Sequence, residues 1–227
     1  MTMTPASKAN SEYYQHQPKI GGFVEKISWH ARKKMFESVM QLARPTAETT
    51  VLDVGVTCQQ SVDANFFEKL YPYPHNITAV GTEDASFLEY EYPGLKFIKA
   101  DGLQLPFPDK SFDLAVSFAV IEHVGSRARQ QAFVRELCRV SCACCITTPN
   151  RWYPVEFHTV MPLIHWLPAP WFRAILKLLG KNFYAKEENL NLLSEKEFLK
   201  IIPENYNIST QHFRLFGFIS NLLFYIH

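Results

Sequence analysis

The feature that most constrains this chain is an alternation. Short runs that are apolar nearly throughout, TVLDVGV, ITAVGTE, KFIKAD, FDLAVSF and CCITTPN, take turns with segments of helical period, SVDANFFEKLY, SFLEYEY and SRARQQAFVRELCRV. A strand apolar on both sides must be covered on both sides, and the helical segments between the strands supply that cover. The pattern predicts an α/β domain of the doubly wound, Rossmann-like kind, its parallel strands joined by right-handed crossovers.

The flanks complete it. Residues 1–19 read as a loose polar arm. Apolar residues at positions 24, 27, 31, 35, 39 and 42 follow a helical period, predicting a covering helix over 23–43 that Pro45 ends. Residues 151–193 carry four prolines and three tryptophans where the next crossover helix is due, and are expected to form a helical cap inserted after the fifth strand. Ser194-Glu195-Lys196-Glu197 is a capping box opening the helix EKEFLKII, and the runs NISTQHFRLF and GFISNLLFYI, meeting near Gly217, predict an antiparallel hairpin that closes a mostly parallel seven-stranded sheet. The expected division is 1–47 arm and covering helix, 48–150 cofactor-binding half, 151–193 substrate cap, and 194–227 closing helix and hairpin.

A chain of 227 residues, 47% hydrophobic, buries one sizeable core. With 23 basic against 22 acidic residues no global field draws it to nucleic acid, and no nucleic-acid partner is expected. Five cysteines, an odd number, do not make a disulfide framework, and the N-terminus lacks the apolar stretch of a signal peptide, which fits a reducing cytoplasm. No apolar run reaches the roughly 18 residues of a membrane span, although peripheral membrane contact stays open.

In doubly wound sheets ligands bind outside the carboxyl ends of the strands. The first strand ends Asp53-Val54-Gly55, the second at Glu83, the third at Asp101-Gly102, and the fourth at Ser117-Phe118, followed by Ile121-Glu122-His123-Val124. Glu83 is placed to accept from a ribose diol. Asp101 is placed to accept from an exocyclic adenine amine, with the Gly102 N–H meeting a ring nitrogen. Either acid alone is equally well read as a helix cap or a solvated side chain. A dinucleotide pyrophosphate needs a G-x-G-x-x-G turn. Here Val56, Thr57, Cys58, Gln59 and Gln60 follow Gly55, which argues against NAD or FAD and for S-adenosylmethionine, whose cationic sulfonium end carries no phosphate.

The series VLDVG, GTED, KADGLQLPFPDKSFDLAVSFAVIEHV and ITTPNRW resembles the class I S-adenosylmethionine-dependent methyltransferases, most closely the methyltransferase-11-like group, over roughly residues 48–152. The resemblance implies S-adenosyl-L-methionine as cofactor. It assigns Asp53 and Gly55 to its methionine end, Glu83 to the ribose hydroxyls, Asp101 and Gly102 to adenine, and Ser117 and Phe118 to the wall beside it, with substrate elements after the fifth strand. The chain departs from the pattern in three places. Gly-Val-Thr stands for the usual G-x-G, Val140-Ser141-Cys142 replaces a Pro-Gly-Gly turn, and Ala119-Val120-Ile121-Glu122-His123 lacks the first carboxylate of the E-x-x-E-H segment with which some ubiquinone-pathway O-methyltransferases bind a metal. No metal is expected on that account.

Transfer to oxygen needs a base, and His123 and His158 are the candidates. Each has a plainer reading, His123 as a loop-orienting group and His158 as a cap anchor, while His165 reads as structural. Cys144 and Cys145 are strand neighbours pointing to opposite faces and preset no zinc site. Asn150, Arg151 and Trp152, just past the fifth strand, are candidate substrate residues, and the cap aromatics form either an acceptor pocket or the core of a lid. The first reading is methyl transfer to a small-molecule or lipid-linked acceptor, with oxygen as the acceptor atom. The second is a methyltransferase-like binding or partner module without turnover, and the third a nucleotide-dependent oxidoreductase.

Overall fold

The computed structural model describes residues 22–61 and 64–227, so the expected N-terminal arm lies outside the described residues, as do two positions of the helix expected after β1. Helix α1 (Gly22–Ala43) is followed by β1 (Val51–Val54), α2 (Phe66–Leu70), β2 (Ile77–Gly81), α3 (Phe87–Glu91), β3 (Lys96–Lys99), β4 (Phe112–Phe118), α4 (Arg127–Val140) and β5 (Ser141–Pro149). After β5 come a small hairpin, β6 (Val155–Glu156) and β7 (Met161–Pro162), then α5 (Ala169–Leu178), α6 (Glu195–Leu199), β8 (Ile208–Leu215) and β9 (Phe218–Ile226). The main sheet has seven strands in the order β3-β2-β1-β4-β5-β9-β8, with β9 antiparallel to both neighbours. The doubly wound sheet and its closing hairpin are thus as the alternation of segments predicts.

Side-chain alternation divides the core between the two faces of the sheet. Leu52, Val54, Ala115, Cys144 and Ile146 pack under Phe133 and Leu137 of α4 and Phe198 of α6. Val51, Val116 and Cys145 pack with Val39 of α1, Phe67 of α2 and Leu88 of α3. Cys144 and Cys145 do lie on opposite faces, and all five cysteines are unpaired.

Helix α4 starts at Ser126, whose hydroxyl accepts from the Arg129 N–H, and passes into β5 without a turn. Lys110 takes over the capping that the missing turn would have provided: its ammonium donates to the carbonyls of Cys138 and Ser141, both at 2.8 Å. Ser194 and Glu197 form the reciprocal capping box at α6 that the sequence predicts.

The region after β5 carries its own small core of Phe172, Leu176, Phe183, Tyr184, Leu190 and Leu192. It is tied to the main body where Asn191 donates to the Glu122 carbonyl (2.7 Å) and Arg127 to the Leu192 carbonyl (2.8 Å). The hairpin β6–β7 in it had no forerunner in the sequence, because two-residue strands carry no periodicity. Among the described residues no helix is long and apolar enough to cross a membrane.

Candidate active site

The carboxyl edge of the sheet is assembled around Gly55. Its N–H and that of Val56 both donate to the Val80 carbonyl, at 2.8 and 3.1 Å, folding the chain sharply after β1. Gly55 has φ of +112°, and a side chain there would collide with Val120, whose Cγ2 lies 2.2 Å from the position of a Cβ. Beyond it, the Asn65 side chain accepts from the Thr57 N–H and donates to the Thr57 carbonyl, both at 2.9 Å, so an amide holds the loop where a glycine-rich turn would hold itself.

Glu83 and Asp101 stand at matching heights. Gly81 and Lys99 are register partners on β2 and β3, and each acid lies two residues further on. The Cys58 thiol reaches across to donate to Glu83 Oε2 at 2.7 Å. Burial and the facing Glu83 carboxylate push that thiol up to about 11, so it stays protonated and is no nucleophile at neutral pH. Asp101 accepts from the Leu103 N–H at 3.0 Å and is otherwise exposed. At Gly102 a Cβ would meet Phe133 Cε2 at 2.6 Å and Val54 Cγ1 at 3.0 Å, so the loop after β3 lies directly on the core.

Three residues expected beside the cofactor have partners of their own within the protein. The Ser117 hydroxyl donates to the Val54 carbonyl at 2.8 Å, tying β4 to β1. Phe118 meets Phe66 edge-on, with ring centroids 4.7 Å apart. Asp53 is buried beneath the glycine turn beside Glu68 of α2, whose carboxylate oxygens have no hydrogen-bond partner among the described residues. Burial, and then the neighbouring Glu68, hold Asp53 well above the usual carboxylate range; Glu68 is itself raised by burial. A proton held on either carboxyl relieves the repulsion between two buried acids.

The linkage sign follows. Raised carboxyls make the folded state bind more protons than the unfolded one above about pH 4, so their favourable contribution is complete below that range and lost as pH rises through the folded values. Replacing Glu68 by Gln, which can donate to Asp53 without a titrating proton, is expected to flatten that decline and raise the melting temperature at pH 8 by about 2–8 °C, equivalent to roughly 1–2 kcal/mol. Thermal melts of both proteins from pH 5 to 8 check it; parallel curves would show that the pair does not share a proton.

The most organised chemistry lies where the cap meets β4. A tight turn over Ile121–His123 places Glu122, fully buried, and His123 at the end of that strand. His123 Nδ1 lies 2.7 Å from the Asn189 carbonyl, and its Nε2 lies 3.1 Å from Nε2 of His158. His158 Nδ1 in turn lies 2.6 Å from Glu156 Oε1. The Glu156 carboxylate, buried in the hairpin, also accepts the backbone N–H groups of His158 (2.9 Å) and Thr159 (2.6 Å). Ala119 and Val160, on either side of the cluster, both adopt positive φ, 55° and 56°, an uncommon backbone for residues with side chains and costly for the β-branched valine.

The electrostatics are divided between the two imidazoles. Burial opposes charge on His158, but Glu156 outweighs it and holds His158 above its ordinary value. Burial, and then the adjacent His158, push His123 down to about 3. Burial raises Glu122 to about 7; its Oε2 accepts from the Thr148 hydroxyl at 3.1 Å, and its Oε1 has no hydrogen-bond partner among the described residues.

The sequence reading therefore picked both histidines, and the structure brings them together. It missed Glu156, whose only signal was its place two residues before His158, and Glu68, which sat in a helix with nothing to mark it as facing Asp53.

Asn150 donates to the Ile219 carbonyl at 2.9 Å and pairs with Leu193, so it fastens the cap to the closing hairpin. Arg151 pairs with Glu197 (3.3 Å), stacks over Trp152, and lines a pocket with His165, Arg173 and Asn191. The His165 Nε2 lies 2.7 Å from the Tyr153 carbonyl. Tyr153 and Phe172 are buried in the cap, whereas Trp152, Trp166 and Trp171 are 51%, 40% and 68% exposed, so these tryptophans are not the core of a lid.

Comparison with known proteins agrees with this architecture. Residues 52–142 match the Methyltransferase domain family. The chain is 44% identical over 63 residues to a probable S-adenosylmethionine-dependent methyltransferase of Mycobacterium tuberculosis, a match covering 26% of this chain and only 22% of that relative's length. Its fold is similar to that of a Burkholderia thailandensis 1,6-didemethyltoxoflavin-N1-methyltransferase with bound S-adenosylhomocysteine (TM-score 0.62, 12% identity, covering 100% of this chain and 91% of that one). It is also similar to the N-methyltransferase NodS of Bradyrhizobium japonicum in complex with S-adenosylhomocysteine (TM-score 0.56, 13% identity, 86% and 85%). Residues 52–142 are thus similar in sequence to that domain family, and the chain is similar in fold to S-adenosylmethionine-dependent methyltransferases.

Proposed function

We propose that the chain transfers a methyl group from S-adenosylmethionine to an oxygen of a small-molecule or lipid-linked acceptor. The observation that carries the donor is the pair Glu83 and Asp101, held at matching heights beside the Gly55 turn, together with a loop of Val56, Thr57 and Cys58 that offers no glycine cradle for a pyrophosphate. Glu83 would take the ribose hydroxyls, Asp101 and the Gly102 N–H the adenine, and Gly55 the close approach of the methionine end. Asp53, buried at the end of β1 with its carboxyl raised by burial and by Glu68, would lie beneath this turn. The bound donor supplies an already activated methyl group, so the protein's task is to align the acceptor and remove its proton.

His123 and His158 would handle that proton; the support is that Val120, against which a Cβ on Gly55 would press, is only three residues from His123. Arg151 and Trp152, stacked on each other just past β5, would contact the acceptor, and the exposed tryptophans support an acceptor with a lipid portion, as well as peripheral contact with a membrane. Five unpaired cysteines support a cytoplasmic setting.

A second reading, a binding module without turnover, is favoured by the contacts that fill the site from within: Cys58 on Glu83 and Val120 on Gly55. Calorimetry with S-adenosylhomocysteine, followed by transfer of labelled methyl to candidate phenols and hydroxylated lipids, separates the readings. Binding with turnover supports the first, and binding without turnover on any acceptor the second. Glu83→Ala is expected to weaken S-adenosylhomocysteine about tenfold, the value of one or two hydrogen bonds to a diol. Unchanged affinity in the same titration would remove Glu83 from the site.

A further inference from the structure

The two histidines are each held from behind. His123 Nδ1 faces a carbonyl, which only accepts, and His158 Nδ1 faces a carboxylate that already accepts two backbone N–H groups. Each Nδ1 therefore carries its hydrogen outward to an acceptor, and the two Nε2 atoms meet across 3.1 Å. A contact of that kind is bridged by one cation, either a proton carried by His158 or a metal ion that takes the proton's place. Close by is a third ligand atom: Glu122 Oε1, in a fully buried side chain, has no hydrogen-bond partner among the described residues and lies 3.9 Å from His123 Nε2. One ligand atom each from Glu122, His123 and His158 all fall within 4.8 Å of one another.

We propose that Glu122, His123 and His158 bind one divalent transition-metal ion of the zinc type, through Nε2 of each histidine and a carboxylate oxygen of Glu122. Two nitrogens bound about 2.0–2.1 Å from zinc at a tetrahedral angle sit about 3.3 Å apart, close to the spacing the pair already has. The carboxylate needs a shift on the order of 1 Å to close on the same ion. Glu156 and the Asn189 carbonyl are positioning groups: they hold the rings and raise the basicity of the ligating nitrogens. Two imidazoles and one carboxylate leave the fourth position open, as in zinc sites that act on a substrate. The segment after β4 lacks a carboxylate at Ala119, and the cap contributes His158 in its stead, so the site is complete only when the cap is seated.

This proposal rests on the methyl-transfer reading for the role of the open position, which would take the acceptor's hydroxyl oxygen. The bound hydroxyl releases its proton to solvent. Its oxygen then supplies the electron pair of the new O–CH3 bond while the S–CH3 bond breaks and leaves its pair on sulfur.

The test is metal binding, read apart from turnover. Tag-free protein stripped with EDTA is titrated with ZnCl2 by calorimetry and, after dialysis, its zinc is counted by mass spectrometry. One zinc per chain with micromolar or tighter affinity is expected. Glu122→Gln and His158→Ala should each weaken it at least about 100-fold, and Glu156→Gln about 10–100-fold. His212→Ala, which removes an exposed histidine 2.9 Å from Glu195, should change nothing. Should the cluster variants fold poorly, Co2+ bound to the unaltered protein gives the same answer: nitrogen and oxygen ligation shows d–d bands without a thiolate charge-transfer band. No stoichiometric zinc, a thiolate band, or zinc retained undiminished by Glu122→Gln and His158→Ala would overturn the site. Zinc bound normally by a protein that takes up no S-adenosylhomocysteine would keep the site and sink the methyl-transfer reading instead.

Discussion

Turnover of the His158→Ala protein is expected to fall about 10²–10⁴-fold, with S-adenosylhomocysteine affinity unchanged. The two halves of that statement come from different parts of the molecule. Donor contacts are assigned to Gly55, Glu83, Asp101 and Gly102 at the ends of β1, β2 and β3, whereas His158 is carried by the hairpin after β5 and touches His123. On the proposed reading, removing the ring takes away a proton-handling group and leaves the residues assigned to the nucleoside untouched. It also removes the imidazole from Glu156, whose carboxylate keeps two backbone donors. Some loss of stability is therefore expected, and a thermal melt measures it. A purely structural histidine would lower the melting temperature and the fraction of active protein without altering kcat per folded molecule. Full turnover in the alanine protein would return His158 to the packing of the cap.

How much of this was readable beforehand depends on the range of the interaction involved. The sheet was legible because an apolar strand covered on both faces leaves a continuous local pattern, and the capping box at Ser194–Glu197 because its two halves are three residues apart. Glu83 and Asp101 were legible as strand-end acids, yet their matching height depends on the β2–β3 register, which no sequence pattern gives. His123 and His158 were each found as candidate bases without being found together, since they are 35 residues apart in sequence. Their contact is created by a hairpin of two-residue strands too short to leave a period. The Glu68–Asp53 contact is hidden for the same reason, a helix residue facing a strand residue across the core. The tryptophans illustrate the opposite failure: in sequence they read as pocket or lid core, and the fold leaves them at the surface, because the cap buries Phe172, Leu176 and Phe183 instead.

Gly55→Ala is expected to cost about 4 kcal/mol and to lower the melting temperature by about 8–16 °C, through two separable effects. The first is backbone strain: at φ of +112° an L side chain meets its own peptide groups, at a cost on the order of 1–3 kcal/mol. The second is collision, because the new Cβ would lie 2.2 Å from Val120 Cγ2, and overpacking at a buried contact costs about 1–3 kcal/mol. Only the second depends on Val120. Combining Gly55→Ala with Val120→Ala removes that Cγ2, leaves a Cβ-to-Cβ approach of 3.2 Å, and should return the collision share while the strain share remains. A coupling of about 1–3 kcal/mol in urea melts of the four proteins is the expected result. Additive losses would mean that Val120 does not press on the turn. Because Val120 leads directly into Glu122 and His123, the same contact fixes how the end of β4 sits against the glycine turn. Gly55→Ala should then lower S-adenosylhomocysteine affinity even at temperatures where the protein remains folded, and an affinity equal to that of the unaltered protein would separate the turn from the donor site.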